Sequence, residues 1–256
     1  MGTESMASLV AYLRGLAPTF FAERMRAADD ADIQRLEQAA GRRMSDAHRE
    51  FLRAMGATPA RVLNPFLNDR DFCIANLLVE YAERQREQLR LPAGVVYFSS
   101  SEITGSNIFL RQGAATSDDP EIGDLDPRTG AFVGIDAGYF EPYLRWHAFH
   151  FRLKQLDYEL HVRPAWNAQE SRWEGDRARC RELLEAEPFE RVFDSGEYAE
   201  YFEDEGVAVA LYHDGSMAMA GDDLDALRRR ADGLAAQTRL IIEPVPARGR
   251  LRAPRE

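Results

Sequence analysis

Hydrophobic side chains recur at helical spacing through the first 90 residues of the chain. Apolar residues follow one another at intervals of three or four, which places them on one face of a helix. Asp29 or Asp30 precedes one of these stripes and Ser45 another as N-cap residues, and Gly41 and Gly56 mark helix ends. The pattern predicts helices over residues 6–16, 20–25, 30–40, 46–55 and 71–89.

The spacing changes after Pro92, where short β-rich runs alternate with turn residues. Gly105-Ser106 separates two such runs and His213-Asp214-Gly215 separates two more, so we expect two antiparallel hairpins. The predicted strands are 95–98, 107–110, 131–135, 206–212, 216–220 and 239–242. Helices are predicted over 142–161, 176–186 and 222–236, and the acidic stretch 112–130 is predicted to be a loop.

This order of elements predicts an α+β fold. The N-terminal helices are expected to pack on an antiparallel sheet, and a smaller αβ part is expected to follow. We expect one domain over residues 1–163 and a C-terminal αβ subdomain over 164–243. The Pro/Arg-rich tail 244–256 is expected to be flexible.

The composition narrows the possible functions. The chain has 256 residues with 32 basic and 43 acidic side chains, a net charge of −11, which disfavours nucleic-acid binding. Cys73 and Cys180 lack paired spacing, so neither a disulfide framework nor a zinc site is expected, and a reducing cytosol is favoured. No signal-peptide pattern and no membrane-length apolar run is visible, so we expect a cytoplasmic protein without a membrane partner.

One segment carries a recognisable family pattern. Within residues 31–56 the pattern positions are Leu36-Glu37, Gly41, Phe51-Leu52 and Gly56. They resemble the opening of the SUKH superfamily. In this chain Met44-Ser45 stands where the family pattern has Leu-Pro, and Met55 stands where it has Asn. The later runs VVYFSSSEITGSNIFL and GAFVGIDAGYFEPYLRWHAF resemble the family's hairpin and its closing strand and helix. The resemblance covers roughly residues 28–155.

The resemblance implies binding rather than catalysis. Bacterial SUKH proteins are mostly immunity proteins that neutralise a cognate toxin, and eukaryotic relatives act as regulators. The sequence also lacks a nucleophile elbow, a Walker sequence and a dinucleotide-binding glycine motif, so we expect no catalytic residue and no cofactor. A regulatory scaffold protein and an acid-rich metal-dependent hydrolase are the alternative interpretations.

Two acidic stretches are the candidate partner-binding sites. Residues 118–141 carry a net charge of −6 and residues 187–232 a net charge of −9, which would attract a toxin with a basic surface or cleft. The candidate contact residues are Asp118, Asp119, Glu121, Asp124, Asp126, Asp136, Tyr139, Phe140, Glu141, Tyr143, Glu203, Asp204 and Glu205. The alternative interpretations of the first stretch are a solvated loop and a calcium site, although the spacing is not that of an EF-hand. The alternative interpretation of EYAEYFEDEG is an amphipathic helix with buried aromatic residues.

The histidines and the first cysteine are of residue types that bind metals or act as nucleophiles. His147, His150, Asp157 and His161 fall at helical intervals, but the stripe is too long for one metal ion, so we interpret it as a polar helix face. Cys73 lies near a predicted helix start between apolar neighbours, and we interpret it as a buried structural thiol.

Overall fold

A computed structural model describes residues 3–58, 67, 70–101, 107–113, 119–167, 172–174, 176–193 and 198–243. The chain divides into two compact units, which we call unit 1 (Met1–Ala148) and unit 2 (Phe149–Glu256). The division lies at residue 148, whereas the sequence pattern placed a boundary at residue 163. None of the helices in the described ranges has the length and apolar character needed to cross a bilayer.

Unit 1 combines N-terminal helices with one antiparallel sheet. Its helices are α1 (Thr3–Leu16), α2 (Pro18–Glu23), α3 (Asp30–Ala40), α4 (Asp46–Met55), α5 (Ile74–Arg86) and the start of α6 (Phe140–Gln155). Its strands are β1 (Arg70–Asp71), β2 (Val95–Ser101), β3 (Asn107–Arg111), β4 (Glu121–Leu125) and β5 (Phe132–Tyr139). The described strands pair in chain order, β1-β2-β3-β4-β5, and each pair is antiparallel.

The helix ends of unit 1 follow the local chemistry of the sequence. The Asp29 side chain accepts a hydrogen bond from the backbone N of Asp32 at 2.7 Å and so caps α3. Gly41 ends α3 in the left-handed conformation, with φ of 69°. The Ser45 side chain caps α4 by accepting from the backbone N of His48 at 3.3 Å. These predicted helix ends are confirmed.

Neighbouring residues of β2 point to opposite faces of the unit 1 sheet, and each face has its own aromatic contacts. Tyr97 meets Tyr81 of α5 with ring centroids 5.1 Å apart, and its backbone N donates to the Tyr81 hydroxyl at 3.0 Å. Phe98 meets Phe51 of α4 at 5.3 Å and Phe140 of α6 at 4.9 Å. Helices therefore cover both faces of the sheet.

Unit 2 contains the end of α6 and a second sheet. Its further elements are β6 (Tyr158–Asn167), β7 (Arg172–Glu174), α7 (Arg177–Ala186), β8 (Glu190–Arg191), β9 (Ala199–Asp204), β10 (Val207–Tyr212), β11 (Met217–Gly221), α8 (Leu224–Gln237) and β12 (Leu240–Glu243). The described strands lie in the order β12-β6-β11-β10-β9-β8, and β7 pairs with β6.

The core of unit 2 lies on one face of this sheet. Alternate strand residues such as Val162, Phe202 and Val209 pack there with Leu184 of α7 and Leu227 of α8, and all five are fully buried. On the opposite face the sheet presents small residues, mainly Ala208, Ala210, Ala218 and Ala220. Phe149 of α6 lies 4.8 Å from the ring of Tyr201, whose position in β9 also places it on that opposite face.

The structure is α+β with antiparallel sheets, as predicted. Both predicted hairpins are present, as β2–β3 and β10–β11. Three local predictions are corrected. The helix predicted to reach residue 161 ends at Gln155, the loop predicted over 112–130 contains β4, and the segment considered as an amphipathic helix forms β9. The tail 244–256 lies outside the described residues.

Candidate partner-binding surface

The register of β4 and β5 separates the predicted contact residues onto two faces. Asp124 lies opposite Val133, and these two residues share one face of the sheet. Glu121 lies opposite Tyr139, and these two point to the other face. Val133 is 51% exposed, Tyr139 is 52% exposed and Asp124 is also exposed. Among the described strands β5 has β4 as its sole neighbour, so both rows are reached at the sheet edge. We call Asp124, Val133 and Tyr139 the β5 edge.

Glu121 takes part in a local ion pair. Its carboxylate accepts from the guanidinium of Arg111 on β3, its neighbour across the sheet. The same guanidinium lies 4.6 Å from the ring centroid of Phe132, a cation–π contact. The charge of Glu121 is therefore balanced nearby.

Asp126 holds the turn between β4 and β5. One carboxylate oxygen accepts from the backbone N of Arg128 at 2.9 Å and from the backbone N of Thr129 at 2.7 Å, and the Thr129 hydroxyl also donates to it. These hydrogen bonds stabilise the ionised form and lower the pKa of Asp126. The Asp126 side chain therefore stabilises the turn, independently of any contribution to binding.

Asp119 and Glu141 form a partly buried pair of carboxylates at the start of α6. Both oxygens of Asp119 lie 3.2 Å from the backbone N of Glu141, which donates to them, and Glu141 is paired with Arg145 at 3.2 Å. Burial raises the pKa of Asp119 to about 7, and the negative charge of Glu141 adds to the rise. Glu141 is 6% exposed, so its carboxylate offers little surface for a partner.

Two of the three aromatic residues proposed as anchors belong to the core. Phe140 is fully buried against Phe51 and Phe98, and Tyr143 is 6% exposed and lies 6.2 Å from Phe98. Strand β5 ends at Tyr139 and α6 begins at Phe140, and the direction of this helix turns the rings of Phe140 and Tyr143 toward the core. The linear sequence does not show where the strand gives way to the helix. Tyr139 is the one of the three that remains exposed.

Two predicted contact residues are not placed in full. Asp118 lies outside the described residues. Asp136 lies on β5, between the paired residues Gly134 and Tyr139, where the register of the strand shifts against β4.

Two of the three candidate contact residues in the second acidic stretch are ion-paired within unit 2. Glu203 accepts from Arg152 at 3.1 Å, and Asp204 accepts from Arg230 at 2.6 Å, which lowers the pKa of Asp204. Glu205 is exposed in the turn after β9. The charges of Glu203 and Asp204 are thus compensated by arginines that lie 51 and 26 residues away in the sequence.

Sequence reasoning missed a buried charge cluster around Glu200 on β9. This carboxylate is 1% exposed and lies within ion-pair distance of three arginines, Arg177 at 3.0 Å, Arg181 at 2.5 Å and Arg191 at 3.3 Å. Glu200 shares its face with buried Phe202, two residues further along the strand. The alternation in AEYF would have revealed this position, had the segment been interpreted as a strand.

The histidine stripe is divided between different elements. His150 lies on α6, where its Nε2 is 3.1 Å from the Tyr212 hydroxyl, whereas His161 lies on β6 with its Nε2 2.9 Å from Glu159. Tyr212 and His161 line a cavity of about 350 Å³, together with Arg163, Pro164, Asp214, Ser216 and Met217. In the described parts of the chain no group of three or more His, Cys, Asp or Glu side chains is placed to hold a metal ion.

The cysteines lie in apolar surroundings. Cys73 is 8% exposed at the N-cap of α5, and Cys180 is fully buried in the core of unit 2. Burial raises the pKa of both thiols, that of Cys180 to about 11. A raised pKa lowers the thiolate fraction, as expected for structural thiols.

Comparison with protein-family models, with curated proteins and with solved structures found no match to this chain.

Proposed function

We propose that this chain is a cytoplasmic immunity protein that neutralises a cognate toxin by binding a basic surface or cleft on it through the β5 edge. The observation that carries the proposal is the combination of two half-exposed side chains on the edge strand β5, Val133 and Tyr139, with exposed Asp124 on the neighbouring strand β4. Interfaces commonly combine an aromatic anchor with a polar, charged rim.

The two kinds of side chain would act at different stages of binding. Asp124 and the negative charge of the whole chain would attract a basic partner and raise the association rate. Tyr139 would be desolvated in the complex and would slow dissociation, because buried aromatic contacts carry much of the energy of an interface. The resemblance of residues 28–155 to the SUKH superfamily supports this proposal, since that family binds toxins and is not known for catalysis.

The test is binding to the product of the adjacent gene, because an immunity gene ordinarily lies beside its toxin gene. We expect a stable complex of the two purified proteins and protection of cells that express the toxin. Tyr139→Ala should speed dissociation by about tenfold or more, the loss typical of an interface anchor. Asp124→Lys should slow association several-fold with little change in dissociation.

Matched variants control for general effects on the surface. Tyr158 on β6 is 39% exposed, so Tyr158→Ala is the control for Tyr139→Ala. Glu182 on α7 has a side chain that is 65% exposed, so Glu182→Lys is the control for Asp124→Lys. If the control variants weaken binding as much as the β5-edge variants, the proposed surface is wrong. Bound stoichiometric metal with hydrolytic activity would instead favour the hydrolase alternative.

A further inference from the structure

The fully buried side chain of His48 on α4 is unusual for a core position. Its exposed fraction is 0%, and neither ring nitrogen has a hydrogen-bond partner among the described residues. The imidazole packs edge-on against Phe98 of β2 at 6.0 Å and against Phe140 of α6 at 5.8 Å. A buried polar group without a hydrogen bond costs free energy that an aliphatic side chain would avoid.

The ionisable groups on the elements around His48 are engaged with other partners. On and beside α4, Asp46 pairs with Arg43 and Arg49 pairs with Glu37. The hydroxyl of Tyr97 on β2 accepts from Arg84, and on α6 Glu141 pairs with Arg145. Burial is accordingly the cause that lowers the pKa of His48, from 6.5 to about 3.

This environment makes the packing of unit 1 sensitive to acid. The folded state holds His48 neutral down to about pH 3, whereas the hydrated side chain takes up a proton below about pH 6.5. A state of unit 1 in which His48 is hydrated therefore binds more protons at this residue than the packed state does across this range, so the contribution of His48 to the packed state falls as the pH falls.

Phe140 connects this core position to the β5 edge. It directly follows Tyr139, and its backbone N donates to Pro120 O at 2.9 Å, which fixes the start of α6. The ring of Phe140 packs between Phe51, Phe98 and His48. If His48 leaves the core, Phe140 loses one of these contacts, and the junction that orients Tyr139 is loosened.

We propose that His48 is an acid-operated switch in unit 1, whose protonation opens the aromatic core around Phe140 and releases a partner held at the β5 edge. The release step rests on the proposed function, whereas the opening step concerns the free protein alone.

The opening step is tested by amide hydrogen exchange of Phe140 and Glu141, corrected for the intrinsic effect of pH. Asp119, whose carboxylate accepts from Glu141 N, titrates in the same range with the opposite sign, so the opening constant of the parent is divided by that of His48→Leu at each pH. Between pH 7 and pH 5 this ratio should rise about 25-fold, the value that His48 pKa values of 6.5 and about 3 imply. His48→Met serves as a second reference variant in case leucine packs badly. The control is His213→Leu, an exposed histidine of unit 2. Equal pH dependence in parent and both His48 variants would overturn the switch.

The release step is tested by the dissociation rate of the partner complex at the same two pH values. The dissociation rate of the parent complex, divided by that of the His48→Leu complex, should rise more than tenfold between pH 7 and pH 5. An equal acceleration in both proteins would overturn control of the edge by His48. Absence of binding at pH 7 would refute the proposed function instead, while hydrogen exchange would still decide whether the switch exists.

Discussion

Glu200 is held in the interior of unit 2 by charge compensation. Three arginines surround a carboxylate that is 1% exposed, and their side chains retain 21%, 36% and 37% of their exposure. Burial by itself would raise the pKa of Glu200, but the arginines outweigh it and the pKa is lowered. Removal of the carboxylate would leave three positive charges close together at the junction of α7, β8 and β9.

We expect Glu200→Gln to lower the free energy of unfolding of unit 2 by about 2–3 kcal/mol. This is below the usual cost of breaking a buried ion pair, because the arginines are partly exposed and can be resolvated. Urea denaturation measures the loss. Glu182→Gln, which breaks an exposed pair with Arg179, should cost less than about 0.5 kcal/mol. A similar small loss for both variants would show that Glu200 contributes little.

Asp119 should give a pH dependence opposite in sign to that of His48. Its folded pKa of about 7 lies above the ordinary value of 3.8, so the folded state binds more protons between these values. Stability from this group is fully present below about pH 4 and is lost as the pH rises through 7.

We therefore expect Asp119→Asn, which keeps an oxygen to accept from Glu141 N, to have little effect on stability at pH 4 and to stabilise the protein by roughly 3–4 kcal/mol at pH 8, as pKa values of 3.8 and about 7 imply. Urea unfolding at both pH values measures the difference. Asp124→Asn, at an exposed position of the next strand, should follow the parent at each pH. A constant difference between Asp119→Asn and the parent would contradict the raised pKa.

At the scale of elements, the pairing of β4 with β5 depends on a glycine. A Cβ placed on Gly123 would lie 2.2 Å from the carbonyl oxygen of Val133 and 2.7 Å from the ring of Phe132. A Cβ placed on Gly134, which lies opposite Gly123 in the strand pair, would have Ile122 O as its nearest neighbour, at 3.9 Å. Two glycines that face each other thus have opposite steric requirements.

Gly123→Ala should destabilise unit 1 by roughly 3 kcal/mol, because the clash is with backbone and the strands must separate to relieve it. Gly134→Ala should change stability by less than about 0.5 kcal/mol. Thermal denaturation of the two variants makes the comparison. Equal stability of the two would mean that β5 lies further from β4 than the structure has it.

The contacts within the secondary-structure elements determine at which acidic residues a charge reversal tests binding without also changing stability. Reversing Asp126 would remove the hydrogen bonds that hold the β4–β5 turn, and reversing Asp204 would break its pair with Arg230. Both changes would alter stability as well as surface charge. Asp124 is exposed and accepts a hydrogen bond from the backbone N of the adjacent Leu125 at 2.7 Å, so its charge can be reversed at a smaller structural cost than that of Asp126 or Asp204.

At the scale of the whole molecule, the net charge of −11 is the property most relevant to a basic partner. Long-range attraction between oppositely charged proteins is screened over about 8 Å at physiological salt. Salt should therefore act on the encounter rather than on the formed contacts of Tyr139.

We expect the association rate with the adjacent-gene product to fall by about tenfold or more between about 50 and about 500 mM salt, with dissociation changing far less. Stopped-flow or surface-based kinetics provide both rates. An association rate independent of salt would mean that the acidic charge does not guide binding.

The sequence by itself determined the features that depend on neighbours in the chain. Asp29, Ser45 and Gly41 fix helix ends through contacts within about four residues, and turn residues fix the β2–β3 and β10–β11 hairpins. These features set the α+β class. The strand β9 was harder to predict, because EYAEYFEDEG also satisfies helical spacing and its pairing partner β10 decides the conformation.

The tertiary structure alone decided which side chains are available for function. Arg152 and Glu203 are 51 residues apart, and His48 and Phe140 meet across 92 residues, so no local pattern reveals either contact. A count of acidic residues along the sequence gives each of them the same weight as a surface charge. Folding pairs Glu203 and Asp204 each with an arginine, and it buries Glu141. It leaves Asp124 and Tyr139 exposed. Burial and charge compensation depend on which distant elements pack together.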